Sequence, residues 1–176
     1  MRWDLVTRFE VLKKGEPACR LPAGRQGEAG YSRAFKSYSG EEDLFKEHLP
    51  GKPRVPQVFF IEMIAQAGGV LFGLGLGFKK EIILAKIEDA EFFLEAAPPC
   101  EFLIEARIED AREDGAWISG VVTQNGRTVA QAKILLAVVD ELAPGKTNIV
   151  FNQAFMKKYN VLEIASKSEN SGACVL

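Results

Sequence analysis

The stretch QVFFIEMIAQAGGVLFGLGLGF, from Gln57 to Phe78, limits what this chain can fold into more than any other. It is too long for an ordinary strand and apolar nearly all round, so it predicts a helix buried on most of its sides. Such a helix must be covered by apolar surface from the rest of the chain. Its length would also cross a bilayer, but Glu62 and Gln66 interrupt its first third and five glycines punctuate the remainder. Those interruptions favour a core helix over a membrane span. The glycine cluster GVLFGLGLGF is not read as a phosphate loop, because no strand precedes it and no Lys-Ser/Thr pair follows it. It predicts a helix end with close packing.

The cover for that helix lies mostly downstream. EIILAKIEDAEFF, EFLIEARIEDAR, AWISGVVTQ and RTVAQAKILLAVV read as strands, and Asn125-Gly126 between the last two marks a two-residue hairpin, since both residues tolerate positive φ. Upstream, Trp3 to Leu12 alternates loosely as a strand with one buried face, and YSRAFKSY is a second short strand. Gly15 to Gly30 breaks the pattern with Gly, Pro and polar residues and reads as a long connection. SGEEDLF predicts a helical turn capped by Ser39, with acids in its first turn. Beyond Asp140 the chain is more polar. NQAFMKKYNVLEIA predicts a short amphipathic helix and SKSENSGA a frayed end. The expected organisation is one domain over residues 1–140 and a C-terminal extension over 141–176.

The 22 basic and 24 acidic residues leave a formal charge of −2, without the basic footprint of a nucleic-acid binder. Cys19, Cys100 and Cys174 are odd in number, widely spaced and form no C-x-x-C pair, which argues against a disulfide framework and against a zinc site. The amino terminus lacks the uninterrupted apolar core of a signal peptide. A reducing, cytoplasmic setting with no metal or cofactor is the expectation.

Chemistry is concentrated just before and inside the long helix. Glu62 and Gln66 stand four apart and share a helix face. Periodicity alone leaves two readings open, hydrogen bonding within the core or a catalytic task, since a polar group in an apolar face needs a partner. His48 is the only histidine and stands just upstream of Pro50, Pro53 and Pro56, whose fixed φ angles stiffen the path to the helix. Neutral imidazole is a good proton acceptor near pH 7, and a carboxyl in an apolar face has its charged form disfavoured, which raises its pKa and lets it act as an acid, so the two make a base and acid pair. Cys100 follows two prolines with no base in sequence reach, and is read as structural.

HLPGKPRVPQVFFIEMIAQAGG resembles the active-site segment of the FabA/FabZ group of 3-hydroxyacyl-acyl-carrier-protein dehydratases, with pattern H-F-P-G-x-P-x-x-P-G-V-x-x-x-E-x-x-A-Q. The matching residues are His48, Pro50, Gly51, Pro53, Pro56, Val58, Glu62, Ala65 and Gln66. The likeness continues more weakly through ILAKIEDAEFF and GVVTQNGRTVAQAKILLAVV, and the MRW start and the tail resemble a longer subgroup.

That resemblance implies an α+β hot-dog fold, a long central helix wrapped by an antiparallel sheet, forming homodimers by joining sheets edge to edge. It implies reversible dehydration of 3-hydroxyacyl thioesters, carried on acyl carrier protein, to trans-2-enoyl thioesters. His48 would take the C2 proton and Glu62, from the facing subunit, would protonate the leaving hydroxyl, with Gln66 supporting. Backbone N–H groups at Gln57 and Val58 would face the thioester oxygen. The family places glycine where this chain has Gln57, and a positive φ there would strain glutamine by about 1–2 kcal/mol. Phe59, Phe60 and Met63 are candidates to line an acyl tunnel. Lys52 and Arg54, and more weakly Lys79 and Lys80, are candidates to dock an acidic carrier. Two other readings stay open: a hot-dog thioesterase that activates water with the helix carboxylate, and an acyl-thioester binder that has lost turnover through Gln57.

Overall fold

The computed structural model of the chain describes residues 5–15, 30–49, 51–140 and 150–170. The long apolar run forms the helix α2, Val58–Leu76, and one antiparallel sheet wraps it. In chain order the elements are β1 (Arg8–Lys13), β2 (Tyr31–Tyr38), α1 (Asp43–Glu47), α2, β3 (Glu81–Phe92), β4 (Cys100–Ala111), β5 (Gly115–Gln124), β6 (Arg127–Val139), α3 (Gln153–Lys158) and α4 (Val161–Asn170). The sheet runs β1-β2-β4-β5-β6-β3, with every neighbouring pair antiparallel. This is the hot-dog arrangement expected from the sequence. The connection read between Gly15 and Gly30 falls almost wholly outside the described residues, as do Cys19, Cys174 and Pro50.

Period-two burial builds the concave face. Phe102, Ile104 and Ala106 on β4, Ala116, Ile118 and Val122 on β5, and Ala130, Ala132, Ile134 and Leu136 on β6 all point to the helix and are buried. The helix can sit close to β5 because small residues alternate with large ones across the contact. A Cβ on Gly68 would stand 2.7 Å from Ile118 Cγ2, and one on Gly120 would collide with Ile64. Within the glycine cluster, a Cβ on Gly69 would stand 2.8 Å from Phe151 and one on Gly73 2.6 Å from Phe78, so these two serve packing as the sequence suggested, while Gly75 has open space beside it. The cluster's last member, Gly77, caps α2 in the left-handed conformation at φ 64°, where its N–H and that of Phe78 close the final turn. The apolar length of α2 is thus spent inside the fold, with 67% of its most apolar window buried.

The hairpin between β5 and β6 turns at Asn125 and Gly126, with φ of 50° and 75°, the left-handed pair that a two-residue loop requires. Two expectations need correction. Ser39 does not cap α1. The N-cap is Glu42, and the capping runs the other way, with the Glu42 carboxylate accepting the N–H of Ser39 at 2.9 Å and of Gly40 at 2.8 Å. Gly40 at φ 102° turns the chain so that these donors face the carboxylate instead of the Ser39 hydroxyl facing the helix.

The second correction concerns the end of the chain. Residues 166–170, read as frayed, continue α4, because Ser168 is buried against β1 and its hydroxyl oxygen accepts the Leu12 N–H at 3.2 Å. The same hydroxyl donates to the Ile164 carbonyl at 2.8 Å. Leu12 lies on the terminal strand, so that N–H has no further strand to meet. The single amphipathic helix expected over 152–165 is two, α3 and α4, separated at Asn160 by a φ of 48°. Edge-on contacts run from Phe78 through Phe151 to Phe155, and Tyr159 then packs on both Phe155 and Phe9 of β1. The C-terminal helices thereby cover the β1 edge. The opposite edge, β3, has no strand beyond it among the described residues, and carries exposed Leu84 and Ile87 beside two bulges.

Candidate active site

α1 delivers His48. Phe45 anchors that short helix by burying its ring edge-on against Tyr38, and His48 is the C-cap, its N–H donating to the Leu44 carbonyl at 2.9 Å. The side chain of His48 is exposed, beside exposed Leu49 in the left-handed conformation at φ 53°. The path onward is pinned at several points. Lys52 N–H closes a turn onto Leu49 O at 3.0 Å, Val55 N–H donates to Ala96 O at 2.9 Å, and Pro56 O accepts the Phe59 N–H at 3.0 Å. Hydrogen bonds therefore add to the stiffness expected from the prolines.

Gln57 is the N-cap of α2, with φ −59° and ψ −32° and no side-chain cap bond. That is ordinary right-handed backbone, open to any residue, so glutamine at this position carries no strain. The N–H groups of Gln57 and Val58 have no hydrogen-bond partner among the described residues, as the first turn of a helix leaves them. Both residues are exposed.

One turn further on, Glu62 is half-buried on the helix face. Burial holds its carboxyl above the usual carboxylate range, and a hydrogen bond from Gln66 offsets part of that rise. The Gln66 amide nitrogen donates to Glu62 Oε1 at 3.0 Å, while the Gln66 amide oxygen accepts the N–H of Leu5 at 3.0 Å. Sequence reasoning paired Glu62 with Gln66 and missed Leu5, because a backbone N–H is common to every residue and leaves no mark in a sequence. Among the described residues, His48 and Glu62 share no hydrogen bond within one chain. The arrangement offers an exposed imidazole on a pinned turn, an aligned carboxyl whose proton affinity is raised by burial, and two open N–H donors at a helix start.

The remaining candidates fall into place individually. Phe60 and Met63 are fully buried, Phe60 edge-on to Phe102 with centroids 5.2 Å apart, and Phe59 is buried beside them. Lys52 is exposed, whereas Arg54 donates to Glu95 at 3.3 Å and to Pro53 O at 3.0 Å. Lys79 is exposed and Lys80 pairs with Asp140 at 2.7 Å. Cys100 is a free, half-buried thiol pushed up to about 11 by burial and by the nearby Glu42 charge, which makes it a poor nucleophile and suits the structural role read from sequence.

A family model described as a FabA-like domain matches residues 20–133. Among curated proteins, the 3-hydroxyacyl-[acyl-carrier-protein] dehydratase FabZ of Erwinia tasmaniensis is 34% identical over 114 residues, covering 62% of this chain and 75% of that protein. The FabZ of Hydrogenobaculum sp. is 33% identical over 112 residues, covering 61% and 74% respectively. In structure, the chain is similar to the dehydratase heterocomplex ApeI:P from Xenorhabdus doucetiae, with a TM-score of 0.60 at 14% identity over 78% of this chain and 84% of that one. It is also similar to the putative thioesterase yhdA from Lactococcus lactis, with a TM-score of 0.54 at 8% identity over 64% and 84%. At such identities these two likenesses describe the fold alone.

Proposed function

The chain belongs to the FabA-like domain family, and on that premise we propose that it is a hydro-lyase, a 3-hydroxyacyl-[acyl-carrier-protein] dehydratase acting in fatty-acid or related acyl-chain synthesis. The observation that carries the reading is Glu62, a half-buried carboxyl held above its ordinary range and aligned by Gln66 one turn into a helix whose start has open N–H donors. Dehydration needs an acid and a base on opposite sides of one bond. The His48 imidazole takes the C2 proton, the C2 electron pair forms the double bond, and the C3–O bond breaks. Glu62 gives its proton to the departing hydroxide, so water leaves. Charge that develops on the thioester oxygen meets the N–H groups of Gln57 and Val58 at the positive end of the α2 dipole. No cofactor enters the balance. The unstrained backbone at Gln57 supports turnover and removes backbone strain as a ground for a non-catalytic binder.

A homodimer supplies the pairing. The unpaired β3 edge, with Leu84 37% and Ile87 45% exposed, accepts the same edge of a second copy, and His48 of one copy works with Glu62 of the other. The acyl carrier protein docks at the mouth beside exposed Lys52, with Arg54 joining if it leaves Glu95, and the acyl chain runs past Phe59, Phe60 and Met63. Residues 1–140 make the hot-dog unit and 141–176 a C-terminal extension, of which α4 packs on the β1 edge. The free Cys100 fits a cytoplasmic, reducing setting.

The test is interconversion of 3-hydroxyacyl and enoyl thioesters by the purified protein. His48→Ala and Glu62→Ala are each expected to lower the rate by about 10²–10⁴-fold while the fold persists by circular dichroism. Activity that survives both changes would sink the mechanism, and release of free thiol in place of enoyl product would favour a thioesterase.

A further inference from the structure

The acid is held in place by a part of the chain that precedes the matched family region. Residues 5–7 are strapped across the sheet, with Leu5 and Val6 buried, the Thr7 N–H on Phe35 O at 2.6 Å and the Ser37 N–H on Thr7 Oγ1 at 3.1 Å. The family model begins at residue 20, so this strap lies outside it. Resting on the dehydratase reading above, we propose that Leu5–Thr7 positions the catalytic acid: the Leu5 N–H locks the Gln66 carboxamide so that its NH₂ group faces Glu62.

The chemistry of the amide compels this. A carboxamide has a donor end and an acceptor end, and the Leu5 N–H can bond only to the acceptor. Turning the amide over would set NH₂ against N–H at one end and oxygen against carboxylate oxygen at the other. With the lock in place Glu62 Oε1 always accepts from Gln66, so the transferable proton belongs to Oε2, the oxygen left for substrate. Among the described residues no charged side chain bears on Glu62, and Gln66 is the side chain that does. Without the Leu5 N–H, the amide can present its oxygen and take the Glu62 proton as donor, which stabilises the acid in an unproductive geometry. Leu5 and Gln66 are therefore positioning residues acting through Glu62.

The experiment follows the Glu62 carboxyl directly, by ¹³C NMR titration of protein labelled at Glu Cδ, with Glu62→Gln to assign the signal. Leu5→Ala keeps the N–H and loses the packing, and Leu5→Pro loses both. Leu5→Pro and Gln66→Met are expected to raise the titration midpoint by roughly 0.5–1 unit, the worth of one hydrogen bond to the charged form, while Leu5→Ala stays at the parent value. kcat should fall for Leu5→Pro with KM little changed. Equal midpoints for Leu5→Pro and Leu5→Ala would overturn the lock. Amide hydrogen exchange gives a second measurement that does not require Leu5→Pro to fold. In Gln66→Ala the Leu5 N–H should lose protection while the Thr7 N–H keeps it, and unchanged protection at Leu5 would equally overturn the lock. The parent's own turnover is judged separately, since a chain without dehydratase activity would still show or lack this coupling.

Discussion

At the residue scale, the candidate acid should cost the fold stability at neutral pH. Glu62 has a folded pKa raised above its unfolded value by burial. The folded state therefore binds the proton more tightly than the unfolded state, and stability falls as pH rises from the unfolded carboxylate range through the folded value. Glu62→Gln, which cannot ionise, should have a higher Tm than the parent near pH 8, and that advantage should shrink as the pH drops below the carboxylate range. Calorimetric scans at several pH values check this. A constant difference would mean that ionisation of Glu62 is not the cause. The contrast with Glu42 is instructive. Burial raises that group too, but N–H donors from Ser39 and Gly40 outweigh it and hold its carboxyl low, so it stays charged. Two glutamates twenty residues apart thus shift in opposite directions, Glu62 up because burial prevails over its one side-chain hydrogen bond and Glu42 down because several N–H donors prevail over burial.

At the scale of elements, the two sheet edges are treated differently. β1 is closed by α4, through Ser168 on the Leu12 N–H, and by Tyr159 at the end of α3, whose ring packs on Phe9. Ser168→Ala leaves that N–H buried without an acceptor and should destabilise the protein by about 1–3 kcal/mol, read from denaturant midpoints at constant m. A loss near zero would mean that α4 does not hold the edge. Among the described residues β3 has no strand on its outer side and carries exposed Leu84 and Ile87, the combination that invites a second strand. Between these edges the helix α2 is seated by paired small and large residues, Gly68 under Ile118 and Ile64 under Gly120.

At the scale of the whole molecule, the lack of a hydrogen bond between His48 and Glu62 within one chain leads to a test by complementation. If His48 and Glu62 of different copies form each site, then mixing His48→Ala with Glu62→Ala subunits after reversible dissociation builds heterodimers with one intact site out of two. Random pairing makes half of the dimers heterodimers, so activity should return to roughly a quarter of the parent value in a two-fold assembly. No recovery on mixing would mean that each chain supplies both groups to its own site.

By itself the sequence determined most of the elements and the candidate reacting groups. β2 and β6 have the bounds that alternation predicted, the Asn125-Gly126 hairpin turns as its φ preferences demand, and Glu62 with Gln66 was visible as a polar break in an apolar helix. These are short-range properties, written in propensity and period within about 20 residues. What only the tertiary structure decided are the partners at long range and the local turns they impose. The direction of the Ser39 and Glu42 bonds, the helical φ at Gln57, the docking of Ser168 on β1 and the Leu5 N–H that orients Gln66 from 61 residues away all belong here. Each depends on a backbone donor or acceptor that every residue possesses, so its use is set by where the folded chain brings it.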